Sequence, residues 1–257
     1  QLPKDGLAAL RMFFDKDCIS QRKEYVRQPN HPHTRGTLSG FVHGPLHEYA
    51  RASLVRAIPA IDGFKESGRK IIYSCLMKKL YGPSKDIKVS ELSGLVSKFT
   101  KYHHGEVSLQ DAIIKQARRF CTINHVPLLK DEGQFGSYMN GGKGHASSRY
   151  VFTRLEDSTR LLFNMDDFAV LPKHVVEGDE VEPLLMAPLL PLVLLNGTSG
   201  IATGFSTYVP SYSPIALIDT TLAMLDEKEA PLLTPSFRDW RGQITMGDGF
   251  FTATGRH

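Results

Sequence analysis

Residues 141–155 read Gly-Gly-Lys-Gly-His-Ala-Ser-Ser-Arg-Tyr-Val-Phe-Thr-Arg-Leu, a glycine-rich basic loop that runs into a strand-like segment. Glycine has no Cβ and allows close backbone approach, and Lys143 and His145 bring charge suited to phosphate. The loop therefore presents Arg149 and Tyr150, side by side, to an anionic backbone. A tyrosine hydroxyl titrates at about pH 10, so it is a nucleophile only when a cation and a base assist it. An isolated Arg-Tyr pair is more often an ordinary strand start with a buried tyrosine, and the rest of the chain must decide.

Size and composition indicate a globular protein. The chain has 257 residues, 41% of them hydrophobic, enough for one large or two smaller domains. Three cysteines, Cys18, Cys75 and Cys121, are widely spaced and contain no Cys-x-x-Cys pair. This pattern predicts reduced thiols in an intracellular compartment and argues against a zinc site. The longest apolar run, 184–195, is interrupted by two prolines and is too short to span a membrane, so a soluble protein is expected.

Positive charge is concentrated in the middle of the chain. The net charge is only +4, but residues 50–150 hold 17 Lys and Arg against 8 Asp and Glu. The remaining residues hold 14 against 19. A basic block of this size beside acidic flanks is typical of a polyanion-binding surface, although a solvated basic surface would have the same composition.

Apolar spacing predicts two helices, over residues 45–57 and 69–80. Arg69 and Lys70 fall in the first turn of the second helix, where they are expected to be exposed. Cations are unfavourable at a helix N-terminus unless a phosphate binds there.

A helix-turn-helix pattern follows. Ser90 can cap one helix, and Ser108 with Asp111 resembles a capping box for a second helix through Arg119. Two helices joined by a short glycine-containing turn are typical of helix-turn-helix motifs, although many helical hairpins bind nothing. The polar set that the second helix would place in a DNA groove is Gln110, Lys115, Arg118 and Arg119.

The flanking segments carry weaker signals. Residues 1–35 look like a connector, and the proline-interrupted His31 and His33 are interpreted as linker rather than as a metal site. A helix is predicted over residues 153–163 and β-structure around 240–245. Ile201 stands between small residues, as an exposed wedge that enters a DNA base step would.

Five motifs occur in one order and cover roughly residues 45–245. They are Arg56-Ala57-Ile58-Pro59 with Asp62-Gly63-Phe64-Lys65 and Arg69-Lys70, Tyr102-His103-His104-Gly105-Glu106 with Ser108-Leu109, Gly133-Gln134-Phe135-Gly136, Gly141-Gly142-Lys143 through Ala146-Ser147-Ser148-Arg149-Tyr150, and Asn196-Gly197 through Gly200-Ile201-Ala202-Thr203-Gly204. Together they resemble the DNA breakage-reunion region of type IIA DNA topoisomerases, in the branch of eukaryotes and large DNA viruses more than bacterial gyrase.

The resemblance implies an α+β fold in three parts. Residues 1–45 would be a connector from a TOPRIM domain that is absent here, 46–190 a winged-helix (helix-turn-helix) DNA-binding domain, and 191–257 the beginning of an α/β tower domain. It also implies a homodimeric, ATP-dependent isomerase of DNA replication that cuts, passes and reseals double-stranded DNA. Mg²⁺ and ATP would be bound by domains outside this chain, which alone is expected to bind DNA weakly and not to cleave it. The nucleus or a cytoplasmic viral replication site, with no membrane partner, is the expected location.

The resemblance also assigns roles to residues. Tyr150 would attack a DNA phosphodiester and become joined to the 5′ end, and Arg149 would stabilise the pentavalent phosphate. His104 would contact the scissile phosphate region or help move the tyrosine proton, a task that a metal-bound water could also perform. The expected DNA-binding set, which includes basic residues of the second helix and of the glycine-rich loop, is Arg56, Lys65, Arg69, His103, Lys115, Arg119, Lys143 and the wedge Ile201.

Two positions depart from the family pattern, and two other functions compete with it. Glu66 puts a negative charge in a phosphate-facing turn. Val107 replaces a bacterial serine that helps hold quinolones, which predicts weak sensitivity to these drugs. A non-catalytic winged-helix module would bind DNA without using Tyr150. A metal-dependent nuclease would need the pair His103-His104 together with the carboxylates of Glu106 and Asp111.

Overall fold

The computed structural model describes residues 3–29, 35–121, 123–247 and 250–255, so His31 and His33 lie outside the described ranges. The chain separates into two compact units, residues 1–58 with 199–207 and residues 59–198 with 208–257. The architecture is α+β, as predicted, with helices and two-stranded antiparallel sheets. The boundaries of the compact units differ from those of the predicted domains at 45/46 and 190/191, and that three-part division stays a prediction.

The first unit is mainly helical. Its helices are α1 (Lys4–Phe14), α2 (Ile19–Arg27), α3 (Leu38–Phe41) and α4 (His47–Ala57), with a π-helical turn at Val42–Leu46. Ala9, Phe13, Val42 and Ala50 form a small buried core. The helix predicted over 45–57 is confirmed, and most described residues of the predicted connector are helical as well.

A hairpin of β5 (Thr198–Ala202) and β6 (Phe205–Val209) places its tip, residues 199–207, in this first unit. The guanidinium of Arg22 lies over the ring of Phe205, 5.5 Å from its centroid. The Thr203 amide donates to the Ser53 hydroxyl at 3.3 Å. These contacts hold the turn next to Ile201.

The second unit is built around α5 (Glu66–Met77), in which every residue from 68 to 76 is buried. A helix buried on all sides lies at the centre of a core. Against it pack α6 (Val89–Thr100) and α7 (Glu106–Ala117), which confirms the predicted helix-turn-helix. Helix α5 ends three residues before the predicted boundary, where Lys79 takes a φ of 53°.

The ends of α7 differ from the prediction. The helix begins at Glu106 after Gly105, and Ser108 and Asp111 form no capping box. It ends at Ala117 because Arg118 is extended, with φ −62° and ψ 139°. Arg119 therefore lies beyond the helix.

Short strands and helices complete the second unit. Strand β1 (Ile87–Lys88) pairs with β2 (Phe152–Thr153), β3 (Lys173–Val176) with β4 (Asp179–Pro183), and β7 (Gly242–Gly247) with β8 (Phe250–Gly255). The further helices are α8 (Asp157–Leu162), α9 (Leu192–Leu195) and α10 (Pro214–Leu225). Strand β7 confirms the β-structure predicted near residue 240.

The helix predicted over 153–163 is partly wrong. Val151, Thr153 and Leu155 are all buried, at 1%, 0% and 1% exposure, and this alternation with a period of two belongs to a strand. Only the part from Asp157 is helical. Across the described ranges, no helix combines the length and apolarity that crossing a membrane requires.

Candidate nucleic-acid interface

Tyr150 projects into solvent from a fixed backbone. Its side chain is 69% exposed, whereas the next residue, Val151, is 1% exposed. The Val89 amide donates to the Val151 carbonyl at 3.0 Å, and the Ser90 amide donates to the Ser148 carbonyl at 3.1 Å. The backbone on both sides of the tyrosine is thus bonded to the beginning of α6. A buried tyrosine at an ordinary strand start is excluded.

Arg149 lies beside the phenol. Its guanidinium carbon is 5.8 Å from the centroid of the Tyr150 ring, and its Nε donates to the Ser147 hydroxyl at 3.4 Å. Both side chains are exposed. A guanidinium and a hydroxyl in this arrangement can engage the same phosphate group.

His104 lies in the exposed turn between α6 and α7. Its ring packs edge-on to Tyr102, with a centroid separation of 5.3 Å. Two residues later, the Glu106 carboxylate accepts from Gln110 at 2.8 Å, and the same amide donates to Ser93 of α6 at 3.3 Å. The His104 turn is therefore bonded to α6, the helix to which the Tyr150 backbone is also bonded.

Four predicted phosphate ligands keep free charges. With the carboxylates of the described ranges they form no ion pair; they are Arg56, Lys65, Lys115 and Lys143. Burial and, next, the positive charge of Lys115 lower the pKa of Lys65. Because two neighbouring ammonium groups repel each other, an anion bound close to both would be favoured.

Arg69 and Lys70 correct the prediction that both are exposed. Arg69 is 5% exposed, and its guanidinium donates to both carboxylate oxygens of Asp62, at 2.7 and 3.0 Å. Lys70 is 3% exposed, with its ammonium 2.8 Å from Glu182 and 2.9 Å from the Thr100 carbonyl. Buried charges require such partners. Neither residue is available to phosphate, and Arg69 is removed from the DNA-binding set.

Arg119 is also already paired. Its Nε lies 2.7 Å from Asp131, and a terminal nitrogen contacts Glu156. Because two carboxylates neutralise this guanidinium outside α7, the predicted groove-reading role does not fit the geometry. His103 is exposed with its Nε2 4.0 Å from Glu177, and Ile201, in the first unit, is 84% exposed, as a wedge requires.

Comparison with known proteins decides the family. The sequence model of the A-type chain of DNA gyrase/topoisomerase IV matches residues 56–256. The chain belongs to this family. It is 41% identical over 250 residues to the putative DNA topoisomerase 2, mitochondrial, of Caenorhabditis elegans, an alignment that covers 93% of this chain and 21% of that protein. It is 38% identical over 244 residues to the DNA topoisomerase 2, mitochondrial, of Dictyostelium discoideum, covering 92% and 19%.

A solved structure is similar as well. The DNA-binding, cleavage and re-ligation domain of Plasmodium falciparum topoisomerase II superposes with a TM-score of 0.80 at 33% identity, covering 95% of this chain and 34% of that chain. The predicted topoisomerase resemblance and α+β fold are thereby confirmed. The chain spans about a fifth of the length of the Caenorhabditis and Dictyostelium relatives. These similarities are to eukaryotic proteins and do not support the viral association.

The gyrase/topoisomerase family motifs also contain partners that the sequence did not reveal. Asp62 and Glu182 neutralise the two buried cations of α5, and Arg118 binds carbonyls of the glycine-rich loop. Asp62 is seven residues from Arg69, so its spacing offered a weak signal. Glu182 lies 112 residues from Lys70, and no local pattern could connect them.

The metal-dependent nuclease hypothesis is wrong. Among the described residues, no group of three or more His, Cys, Asp or Glu side chains is arranged to hold a metal ion. His103, His104, Glu106 and Asp111 all lie within those ranges. These residues therefore do not fit a Mg²⁺ site, and the steps proposed for this chain use only its own side chains.

Proposed function

We propose that this chain is the DNA breakage-reunion region of a type IIA DNA topoisomerase. The observation that carries the proposal is the exposed Tyr150 beside Arg149, on a backbone bonded to the helix-turn-helix, in a chain of the gyrase/topoisomerase family. The substrate is double-stranded DNA, and the acting form is a homodimer in which each protomer cuts one strand.

The reaction is a transesterification. The Tyr150 hydroxyl oxygen attacks a backbone phosphorus, the bond from phosphorus to the 3′ oxygen breaks, and the 5′ end is joined to the tyrosine. The phenolic proton leaves to a base, for which His104 is the candidate in this chain, and the 3′ oxygen takes up a proton. Arg149 stabilises the negative charge that grows on the phosphate oxygens. One phosphoester replaces another, so resealing needs no external energy.

The DNA backbone is held by the free cations. Lys115 on α7 and Lys143 in the glycine-rich loop are exposed, and Arg56 at the end of α4 joins this set. Ile201 is the wedge that enters a base step and bends the duplex. ATP and Mg²⁺ belong to the proposed complete enzyme, whose location is an intracellular site of DNA replication, and the described residues of this chain supply no complete Mg²⁺ site of their own.

The salt dependence of DNA binding tests the proposed interface. We expect Lys115→Gln and Lys143→Gln each to weaken binding of a labelled duplex to this chain and to reduce the slope of log K against log salt by about one. Lys228→Gln is the matched control, because Lys228 is exposed but pairs with Asp226 at 2.8 Å. If all three variants keep the wild-type slope, DNA does not bind at this surface.

A further inference from the structure

Arg118 directs its guanidinium into the glycine-rich loop, which comprises residues 133–148. Its Nε donates to the Phe135 carbonyl at 3.1 Å, and Nη2 donates to the Gly142 carbonyl. Phe135 is 3% exposed and belongs to the main hydrophobic core. One side chain thus connects the core-anchored beginning of the loop with a position seven residues further along.

Two glycines make room for this contact. Gly142 has φ +80°, and a Cβ there would lie 2.7 Å from Nη1 and 3.0 Å from Cζ of Arg118. Gly136 has φ +98°, and a Cβ there would lie 2.5 Å from the Gly142 carbonyl oxygen. Both positions favour glycine by conformation as well as by space. The loop is therefore folded closely around the guanidinium.

The loop continues directly to the candidate nucleophile. The Gly142 amide donates to the Ser137 carbonyl at 2.8 Å, and the Ala146 amide donates to the Gln134 carbonyl at 2.9 Å. Tyr150 follows four residues after Ala146. Since the segment is bonded at each of these places, a displacement of the Gly142 region would be passed along the chain to Tyr150.

A second contact joins the same two elements. The Nε2 of His145, in the loop, is 3.8 Å from a carboxylate oxygen of Asp111 on α7. Helix α7 also carries Lys115, one of the proposed phosphate ligands. The helix that meets DNA and the loop that leads to Tyr150 are therefore joined at two points, of which the Arg118 contact is the more closely packed.

We infer that Arg118 is a positioning residue, which fixes the glycine-rich loop on α7 and so orients Arg149 and Tyr150 relative to DNA bound at that helix. A half-buried guanidinium that satisfies two main-chain carbonyls is specified by side-chain chemistry, because lysine offers one ammonium where the site uses a planar fork. The catalytic consequence rests on the proposed function, whereas the effect on the loop does not.

Hydrogen exchange of the chain tests the effect on the loop. In Arg118→Gln we expect the amides of residues 137–146 to exchange about tenfold faster or more, because local opening no longer breaks two guanidinium bonds. Arg118→Lys should give an intermediate rate. Arg238→Gln is the matched control, since Arg238 donates to the His125 carbonyl of a different loop at 3.3 Å. Wild-type exchange of residues 137–146 in Arg118→Gln would overturn the inference.

The rate of covalent adduct formation in the complete enzyme tests the catalytic consequence. At saturating DNA we expect Arg118→Gln to form adducts about tenfold more slowly, because small displacements of reacting groups are costly, with the Kd for DNA within about twofold of wild type. Arg118→Lys should recover part of the rate. A variant whose loop exchanges quickly but whose adduct rate is unchanged would contradict the positioning role. Loss of the proposed function itself would appear separately, as adducts that persist in Tyr150→Phe.

Discussion

At Arg69, one carboxylate determines whether an arginine is available to DNA. The sequence places this residue in a basic motif, and the family resemblance assigns it to phosphate. In the structure Asp62 accepts two hydrogen bonds from its guanidinium and two more from the amides of Phe64, at 3.1 Å, and Met186, at 3.0 Å. Whether a basic residue is free or paired depends on such neighbours, which composition and spacing do not reveal.

Asp62→Asn should strongly destabilise the protein. The substitution leaves the Arg69 guanidinium buried without its countercharge, and breaking a buried ion pair costs about 3–5 kcal/mol. Urea unfolding of the chain measures the loss. Asp219→Asn, at an exposed position of α10, is the control and should change stability by less than about 0.5 kcal/mol. Equal effects of the two substitutions would show that the Asp62 pair does not stabilise the fold.

Val107 is a second position where a single side chain carries a prediction. It lies in the first turn of α7 and is 70% exposed, so a drug bound near the helix-turn-helix could reach it. Because valine offers no hydroxyl, we expect Val107→Ser to increase the quinolone sensitivity of cleavage by the complete enzyme. Val170→Ser, at an equally accessible position of 82% exposure, should leave it unchanged. Gyrase-like potency against the wild type would refute the prediction.

At the scale of elements, local patterns predict centres better than ends. The apolar periodicity of α4, α6 and α7 is contained within each segment, and the sequence predicts all three helices. Their ends depend on more distant partners. Helix α7 ends where Arg118 turns to the carbonyls of Phe135 and Gly142, a contact between segments that no local pattern contains. Strand β2 lies where the sequence predicts helix, because its two residues are followed closely by α8.

The buried helix α5 should make stability sensitive to alkaline pH. Complete burial raises the pKa of the Cys75 thiol from 9.0 to about 12. Between these values the unfolded chain loses the proton and the folded chain keeps it, so rising pH favours unfolding. From pH 8 to pH 10 this group should cost about 1.4 kcal/mol of stability.

Urea unfolding of wild type and Cys75→Ala under reducing conditions isolates this contribution. The alanine variant is less stable at pH 8 because it leaves a cavity, but the difference between the two proteins should shrink at pH 10. A difference that stays constant between the two pH values would rule out a thiol that remains protonated in the fold.

At the scale of the whole molecule, the basic block predicted from composition is smaller in effect than its count. Arg69, Lys70, Arg119 and Arg154 are paired with carboxylates, and Lys70 finds its partner 112 residues away. The remaining free cations lie on the elements that the ordered motifs indicate. Motif order across two hundred residues therefore predicts the family, whereas the availability of each residue requires the three-dimensional structure.

The most direct test of the account is the detection of covalent protein–DNA adducts in the complete enzyme, with the attached residue mapped by mass spectrometry. Tyr150 is 69% exposed, so Tyr150→Phe should fold normally and keep its Kd for DNA within about twofold. We predict adducts on Tyr150 through a 5′ phosphate in the wild type and no adducts in the variant. Adducts that persist in Tyr150→Phe, or that map to another residue in the wild type, would contradict the central claim.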